Sequence, residues 1–183
     1  AEGSALQPGQ EGPLPELLTV FVGCNGASLT QQDGAWKVVG DPTEGALLTA
    51  GAKLPLSATD IERETPRVAE IPFDSDRKRM TVVRRRSDGN LLALTKGAPD
   101  VLLRLCTRVR EATGMRAMTD EDRHTILAEN AALAGRALRV LAAASRDLEP
   151  GCDPSSAAAV ERDLVFLGLA GMYDPPRSEA KSA

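Results

Sequence analysis

An α+β fold, with a twisted, largely antiparallel sheet flanked by helices, is predicted by three features of this sequence. Strand-type segments follow one another from Arg67 to Thr95, with a Ser87-Asp88-Gly89-Asn90 turn between two of them, and Asp-Gly there is hairpin chemistry. Helix starts marked by Pro or Thr interrupt the strands irregularly, so the strict alternation of a doubly wound parallel sheet is missing. The length, 183 residues with 42% hydrophobic content, suits about one core at roughly 150 residues per domain.

Each element has a local reason. Residues 1–13 carry Gly, Pro, Gln and Glu with little but Leu6 to bury, the composition of a disordered tail. Pro15 suits a first helical position, Glu16 a first turn, and Leu17, Leu18, Val20, Phe21 and Val22 supply a buried face that stops near Asn25-Gly26. A short strand follows through Trp36, Val38 and Val39. In GDPTEGALL, residues 40–48, Asp41 can cap a helix, Pro42 suits its first position, and Glu44 stands three residues after the cap to complete a capping box. Residues 57–64 read as another short helix. RVAEIPF, MTVVRRR and LLALT are the three strands, and Pro99 then opens a helix carrying Val101, Leu102, Leu103 and Leu105. Thr119 before Asp120-Glu121-Asp122 caps a longer helix to about Arg136, and LRVLAAAS and DLVFLGLAGM are two buried strands. The folded unit is expected over 14–173, leaving 174–183 as a connecting segment.

Composition excludes several function classes. Lys and Arg number 22 against 26 Asp and Glu, a net charge of −4, which lacks the basic footprint of a nucleic-acid binder. The longest strongly apolar run, Leu164 to Met172, is far short of the roughly 20 residues of a membrane-spanning helix, so a soluble chain without a secretory leader is expected. One His, His124, argues against a His-based metal site or a Ser/His triad and reads as an exposed bystander. Cys24, Cys106 and Cys152 are widely spaced and form no C-x-x-C pair, so they read as reduced thiols. The P-loop, the G-x-G-x-x-G turn, the G-x-S-x-G elbow and H-E-x-x-H are all missing. What remains is a group of charged residues at strand ends near one aromatic: Phe73, the run Asp76-Arg77-Lys78-Arg79, Lys96 before Gly97, and Arg139. The run Arg84-Arg85-Arg86 reads as a solvated, edge-protecting strand end.

Five blocks, GDPTEGALL, IPFDSDRKRM, TKGAPDVLL, LRVLAAASRDL and GMYDPPR, occur in this order between residues 40 and 177. Together they resemble the nucleotide-binding domain of the P-type ATPases, in the branch that pumps calcium and related cations. The resemblance runs from about residue 14 to Arg177. It implies an ATP-binding N domain, with Mg2+ carried by the nucleotide, in the cytoplasmic part of an integral membrane pump. By the same resemblance Phe73 stacks on adenine, Glu44 accepts from the adenine amino group, and Lys96 lies at the pocket floor beside Gly97. Lys78 contacts phosphate, Arg139 reaches ribose and phosphates, and Leu141 lies beside the base.

Each residue also has a plainer reading. Phe73 suits a core position at a strand end, Glu44 a helix cap, and Lys96 a snorkelling lysine. Lys78 with Arg77 and Arg79 fits a solvated edge, and Arg139 a strand-end salt bridge. Gly97, having no Cβ, permits close approach of a ligand to the backbone. The sequence departs from the family at Ser75, where well-studied calcium pumps carry arginine; Arg77 is the candidate substitute.

The family's aspartyl phosphorylation loop is not among these residues, so ATP would be positioned and not hydrolysed by this domain alone. Its partners would be ATP and the pump's phosphorylation and actuator domains, met through a hinge at Asp174-Pro175-Pro176-Arg177. It would act as a monomer with no nucleic acid and no direct membrane contact. The alternative is a free-standing adenine-nucleotide-sensing or interaction module. A third possibility is a pump domain whose main task is docking, with nucleotide binding weakened at Ser75. The transported ion is not legible, since ion ligands in this family lie in membrane helices.

Overall fold

The computed structural model describes residues 12–32, 34–54 and 56–173. The expected hinge and all but the last two residues of the expected tail lie outside them. Helix α1 (Leu14–Gly23) buries Leu18, Val20, Phe21 and Val22, and ends as Asn25 folds back to donate from Nδ2 to the Phe21 carbonyl at 3.1 Å. Strands β1 (Ser28–Gln32) and β2 (Ala35–Val39) form a small separate antiparallel sheet. Only β2 was expected: β1 is SLTQQ, largely polar and half or fully exposed, so it carries no apolar alternation to detect.

Helices α2 (Pro42–Gly51) and α3 (Ala58–Glu64) are capped by Asp41 and Ser57. Asp41 Oδ1 accepts from the amides of Thr43 at 2.7 Å and Glu44 at 3.2 Å, as the sequence suggests. Burial alone would raise the Asp41 carboxyl, but these hydrogen bonds, with Arg139 nearby, hold it below its usual range. The reciprocal half of the capping box is not made. Glu44 turns its carboxylate away from the cap to Gly26 and Lys96, because a buried ammonium is the stronger partner.

Strands β3 (Arg67–Asp74), β4 (Arg79–Arg85) and β5 (Leu91–Gly97) form the expected meander, followed by α4 (Pro99–Leu105). Strands β6 (Cys106–Glu111) and β7 (Gly114–Ala117) were not foreseen, since CTRVRE and GMRA expose most of their polar side chains at one end of the sheet. Helix α5 (Asp120–Gly135), strand β8 (Arg139–Leu148), the short helix α6 (Ala157–Val160) and strand β9 (Leu164–Met172) complete the order. In α5 the predicted cap is fully reciprocal between Thr119 and Asp122, His124 is exposed, and no residue is fully buried.

The main sheet has seven strands in the order β3-β4-β5-β8-β9-β6-β7. All its pairings are antiparallel except that of β6 with β9. Helices cover both faces. On one, Leu18, Val20 and Phe21 of α1 pack with Met80, Val82, Leu94, Ala143, Val165 and Leu167. On the other, Leu102 and Leu103 of α4 pack with Ala142, Ala144, Leu164 and Phe166. The period-2 alternation of β8 and β9 thus sends successive residues to opposite cores. Each large apolar side chain buried this way contributes about 1.5–3 kcal/mol.

Two sequence expectations need correction here. Arg84 is neither solvated nor on an edge strand: its side chain is 4% exposed, and its guanidinium caps the end of α1 by donating to the Gly23 carbonyl at 2.7 and 3.0 Å. It pairs also with Glu62 at 2.9 Å. The orphan carbonyls at a helix end and the favourable placement of a cation there explain the burial. Arg77 and Arg79 are not a solvated edge either, since both bond the buried carboxylate of Glu161. Cys24 and Cys106 are buried free thiols, pushed by desolvation up to about 11 and about 12, whereas Cys152 is only half-buried.

Candidate functional site

The antiparallel order of β3, β4, β5 and β8 brings the end of β3, the start of β4, the end of β5 and the start of β8 to one edge of the sheet. The first turn of helix α2 meets those strand ends through Thr43 and Glu44, and between them lies a cavity of about 690 Å3. Its walls include all of Glu44, Phe73, Lys78, Lys96, Gly97, Arg139 and Leu141. Residues from positions 44 to 141 therefore share one site because of sheet topology.

Glu44 and Lys96 form the floor. Lys96 Nζ donates to Glu44 Oε1 at 2.6 Å, with the two side chains 8% and 19% exposed, and Glu44 Oε2 accepts from the Gly26 amide at 3.0 Å. Lys96 is thus buried and paired, which excludes the snorkelling reading. Asn25 joins the floor to α1, donating to the Glu44 carbonyl at 3.0 Å while its own Oδ1 accepts from the Ala27 amide at 2.8 Å.

Phe73 lies on the rim and is 65% exposed, so the core reading of this residue is wrong. It precedes a tight turn. Asp74 Oδ1 accepts from the amides of Asp76 at 2.9 Å and Arg77 at 2.8 Å, and the Asp74 carbonyl accepts from Lys78 at 2.6 Å. The Arg77 amide beside it, then that of Asp76, hold the Asp74 carboxyl below its usual range. Lys78 closes the turn at φ 50°, a left-handed conformation unusual for a residue with a side chain. Its carbonyl accepts from the Ala98 amide at 3.0 Å.

Gly97, which lines the cavity, has a structural reason of its own. A Cβ there would meet the Lys78 carbonyl and Arg79 Cβ, both at 2.6 Å, and Arg79 Cα at 2.9 Å. The missing side chain makes room for the neighbouring strand, and thereby for the Lys78 turn.

Lys78 is exposed and, among the described residues, forms no ion pair. Arg139 donates from Nη1 to the Thr43 hydroxyl at 2.7 Å and likewise has no carboxylate partner among them, so it is not the strand-end salt bridge of the plainer reading. The site therefore combines an apolar wall of Phe73, Met80, Val140 and Leu141 with the cations Lys78 and Arg139, the carboxylates of Asp41 and Glu70, and the Glu44–Lys96 pair at the floor. That combination suits a flat ring carrying an anionic tail.

Arg77 is a poor substitute for the arginine missing at Ser75. Its guanidinium is spent on both oxygens of Glu161 and on the Pro72 carbonyl. Sequence reading missed Gly26, Asp41, Thr43, Glu70, Met80, Ala98 and Val140 in the lining, Asp41 having been read only as a helix cap. For Thr43 and Ala98, adjacency to Glu44 and Gly97 was the available signal; Glu70 and Gly26 gave none.

The family described as P-type ATPase, cytoplasmic domain N, matches residues 13–179. A calcium-transporting ATPase of Bacillus subtilis is 40% identical over 171 residues, covering 93% of this chain and 19% of its own length. The cation-transporting ATPase pma1 of Synechocystis is 38% identical over 170 residues, covering 93% of this chain and 18% of its own. The sodium/potassium exporting P-type ATPase cta3 of Schizosaccharomyces pombe is 34% identical over 173 residues, covering 93% and 16%. The chain therefore spans under a fifth of the length of these relatives, whose names cover three cation descriptions. The match over nearly all the described residues shows that the chain belongs to the family of P-type ATPase cytoplasmic N domains.

Proposed function

We propose that this domain binds Mg-ATP in the cavity at the sheet edge and presents it, within a cation pump of the calcium-pump-like branch, to an aspartate in another domain. One observation carries the reading: Phe73 is an aromatic kept 65% exposed on the wall of the cavity that also gathers Glu44, Lys78, Lys96 and Arg139. A buried Phe would be worth more to stability, so exposure at this place favours stacking on a base, a contact worth about 1–3 kcal/mol. The paired Glu44 and Lys96 offer an acceptor and a donor at the floor to a base edge, while Lys78 and Arg139 offer cations to phosphates. Gly97 serves by accommodating the Lys78 turn. Among the described residues no cluster of three or more His, Cys, Asp or Glu side chains converges. In this reading Mg2+ arrives on the phosphates, where it supplies charge neutralisation.

The domain's work is binding and orientation; the nucleophile belongs to a partner domain. The residues 14–173 form the ATP-binding unit in this reading, with 174–183 leading toward the phosphorylation domain on the cytoplasmic side of the membrane. No helix among the described residues is long and apolar enough to cross a membrane.

Affinity is expected to be weak. One stacked base and a few charge-assisted contacts must offset the cost of association, and no guanidinium replaces the one missing at Ser75. A dissociation constant near 1 mM, about −4 kcal/mol, is expected. Chemical-shift titration with Mg-ATP tests this: resonances of Phe73 and Lys96 should move, and Phe73→Ala should weaken binding about tenfold. Lys96→Ala should weaken it as well and leave Glu44 without its ammonium. Absence of shifts at both positions with several millimolar ATP rejects the reading.

A further inference from the structure

Glu161 lies immediately after α6, more than 80 residues from the Asp74–Lys78 turn, and sequence reading gave it no role. Its side chain is 0% exposed. Three donors make four hydrogen bonds to it: Arg77 Nη1 at 2.8 and 2.7 Å to its two oxygens, Arg79 Nε at 2.7 Å and Thr81 Oγ1 at 2.8 Å. Thr81 Oγ1 also lies 3.0 Å from the Thr95 hydroxyl, which ties the same carboxylate to β5. From the other side of its guanidinium, Arg77 Nη2 donates to the Pro72 carbonyl at 2.6 Å.

The two arginines flank Lys78 in sequence, and Pro72 precedes Phe73. One buried carboxylate therefore grips the polypeptide on both sides of Lys78 and, through Arg77, just before Phe73. A buried ion pair contributes little net stability compared with apolar packing of the same volume, because desolvation cancels most of its attraction. What a fully satisfied network of this kind specifies is position, since planar guanidiniums and a carboxylate accept few alternative arrangements. The grip also explains how Lys78 is held in a left-handed conformation.

We propose that Glu161 is a positioning residue for the nucleotide site: by anchoring Arg77 and Arg79 it sets the placement of Lys78 relative to Phe73, and so matches the phosphate contact to the base contact. The inference rests on the nucleotide reading above and goes beyond it in naming what holds the two contacts in register. Glu161 touches no cavity wall and no ligand; it acts through the turn.

Titration of the domain with Mg-ATP and, separately, with adenosine tests it. The ratio of the two affinities is independent of the folded fraction, so a merely structural role leaves it unchanged. Glu161→Gln should lower the ATP-to-adenosine ratio about fivefold, as Lys78→Ala should. Arg77→Lys keeps the charge but not the fork, should lower the ratio in the same direction, and remains readable if Glu161→Gln does not fold. An unchanged ratio overturns the proposal. A raised ratio also overturns it, because Glu161 would then be screening freed guanidiniums from phosphate.

Hydrogen exchange without nucleotide separates this proposal from the functional one. In either variant the amides of Asp76, Arg77 and Lys78 should exchange at least about tenfold faster, with those of β8 unchanged. Faster exchange in the variants, together with a wild-type domain that binds neither ligand, would reject the nucleotide reading alone. Equal protection in variant and wild type rejects the positioning role whatever the nucleotide does.

Discussion

The two turns that bound β4 are built from similar local chemistry and held in opposite ways. At one end, the Arg86–Asn90 turn closes through Gly89, at φ 86°, with nothing within 4 Å of where a Cβ would point. Asp88 accepts there from the amide of Asn90 at 2.9 Å and from its side chain at 3.0 Å. At the other end, Asp74 accepts from two amides in the same fashion, but the left-handed residue is Lys78. No local preference favours a lysine there. The conformation is fixed from outside the turn, by the room Gly97 leaves, by the bond from Ala98, and by Glu161 through its arginines. The first turn does no more than reverse the chain. The second carries the proposed phosphate contact, and its strain is stabilised by residues far away in sequence.

The largest test of this contrast is alanine at the two glycines. Gly97→Ala drives a Cβ against backbone that cannot rotate aside, and should cost about 3 kcal/mol in denaturant unfolding. Gly89→Ala meets open space and pays only the left-handed penalty, about 1 kcal/mol. Equal costs would show that the Lys78 turn yields as easily as the hairpin and would break the comparison.

Next in size is Lys78→Gly. It removes the side chain's objection to φ 50° and should raise stability by up to about 1 kcal/mol, while weakening ATP binding in titration. Loss of stability instead would mean that the lysine side chain itself holds the turn. The smallest effect is shared by both ends. The Asp74 and Asp88 carboxyls are each held below the usual range, chiefly by a backbone amide from Arg77 and from Asn90 respectively. A carboxyl lowered on folding contributes stability that is full above its unfolded value near 3.9 and is lost as pH falls through its folded value. Titration by carbon NMR should place both below about 3.9; an ordinary value at Asp74 alone would show that the two turns differ locally too.

The same contrast explains what was legible in the sequence. Asp41, Ser57 and Thr119 announce helix starts, and Asp88-Gly89 announces a hairpin, because each acts on atoms within three residues. The strands β4, β5, β8 and β9 show apolar runs because their side chains are largely buried, whereas β3 is an edge strand in which Ile71 alone is fully buried. Strands β6 and β7 show arginines instead, and Arg116 pairs with Glu111 and Asp122 at the surface, so no period-2 apolar signal arises. The lining residues Phe73, Lys78, Lys96 and Arg139 were found through ordered blocks, not through periodicity. Glu44 shows the limit: its spacing from Asp41 fits a cap equally well, and only Lys96, 52 residues away, decides where its carboxylate goes. Arg77 and Glu161 were opaque for the same reason, each being defined by a partner 84 residues distant.

The parallel pairing of β6 with β9 also fixes an order of assembly. Strands β6 and β7 join the main sheet only through β9, although β9 follows them by some fifty residues in the chain. During synthesis the β3–β4–β5 meander can close as soon as it emerges, whereas the β6–β7 hairpin must wait until residues 164–172 have been made. Contacts of such long sequence separation form slowly because loop closure precedes their reward. The half of the domain that carries most of the proposed nucleotide contacts is therefore the half that can fold early, and the other half is the one exposed to misassembly while the ribosome is still at work.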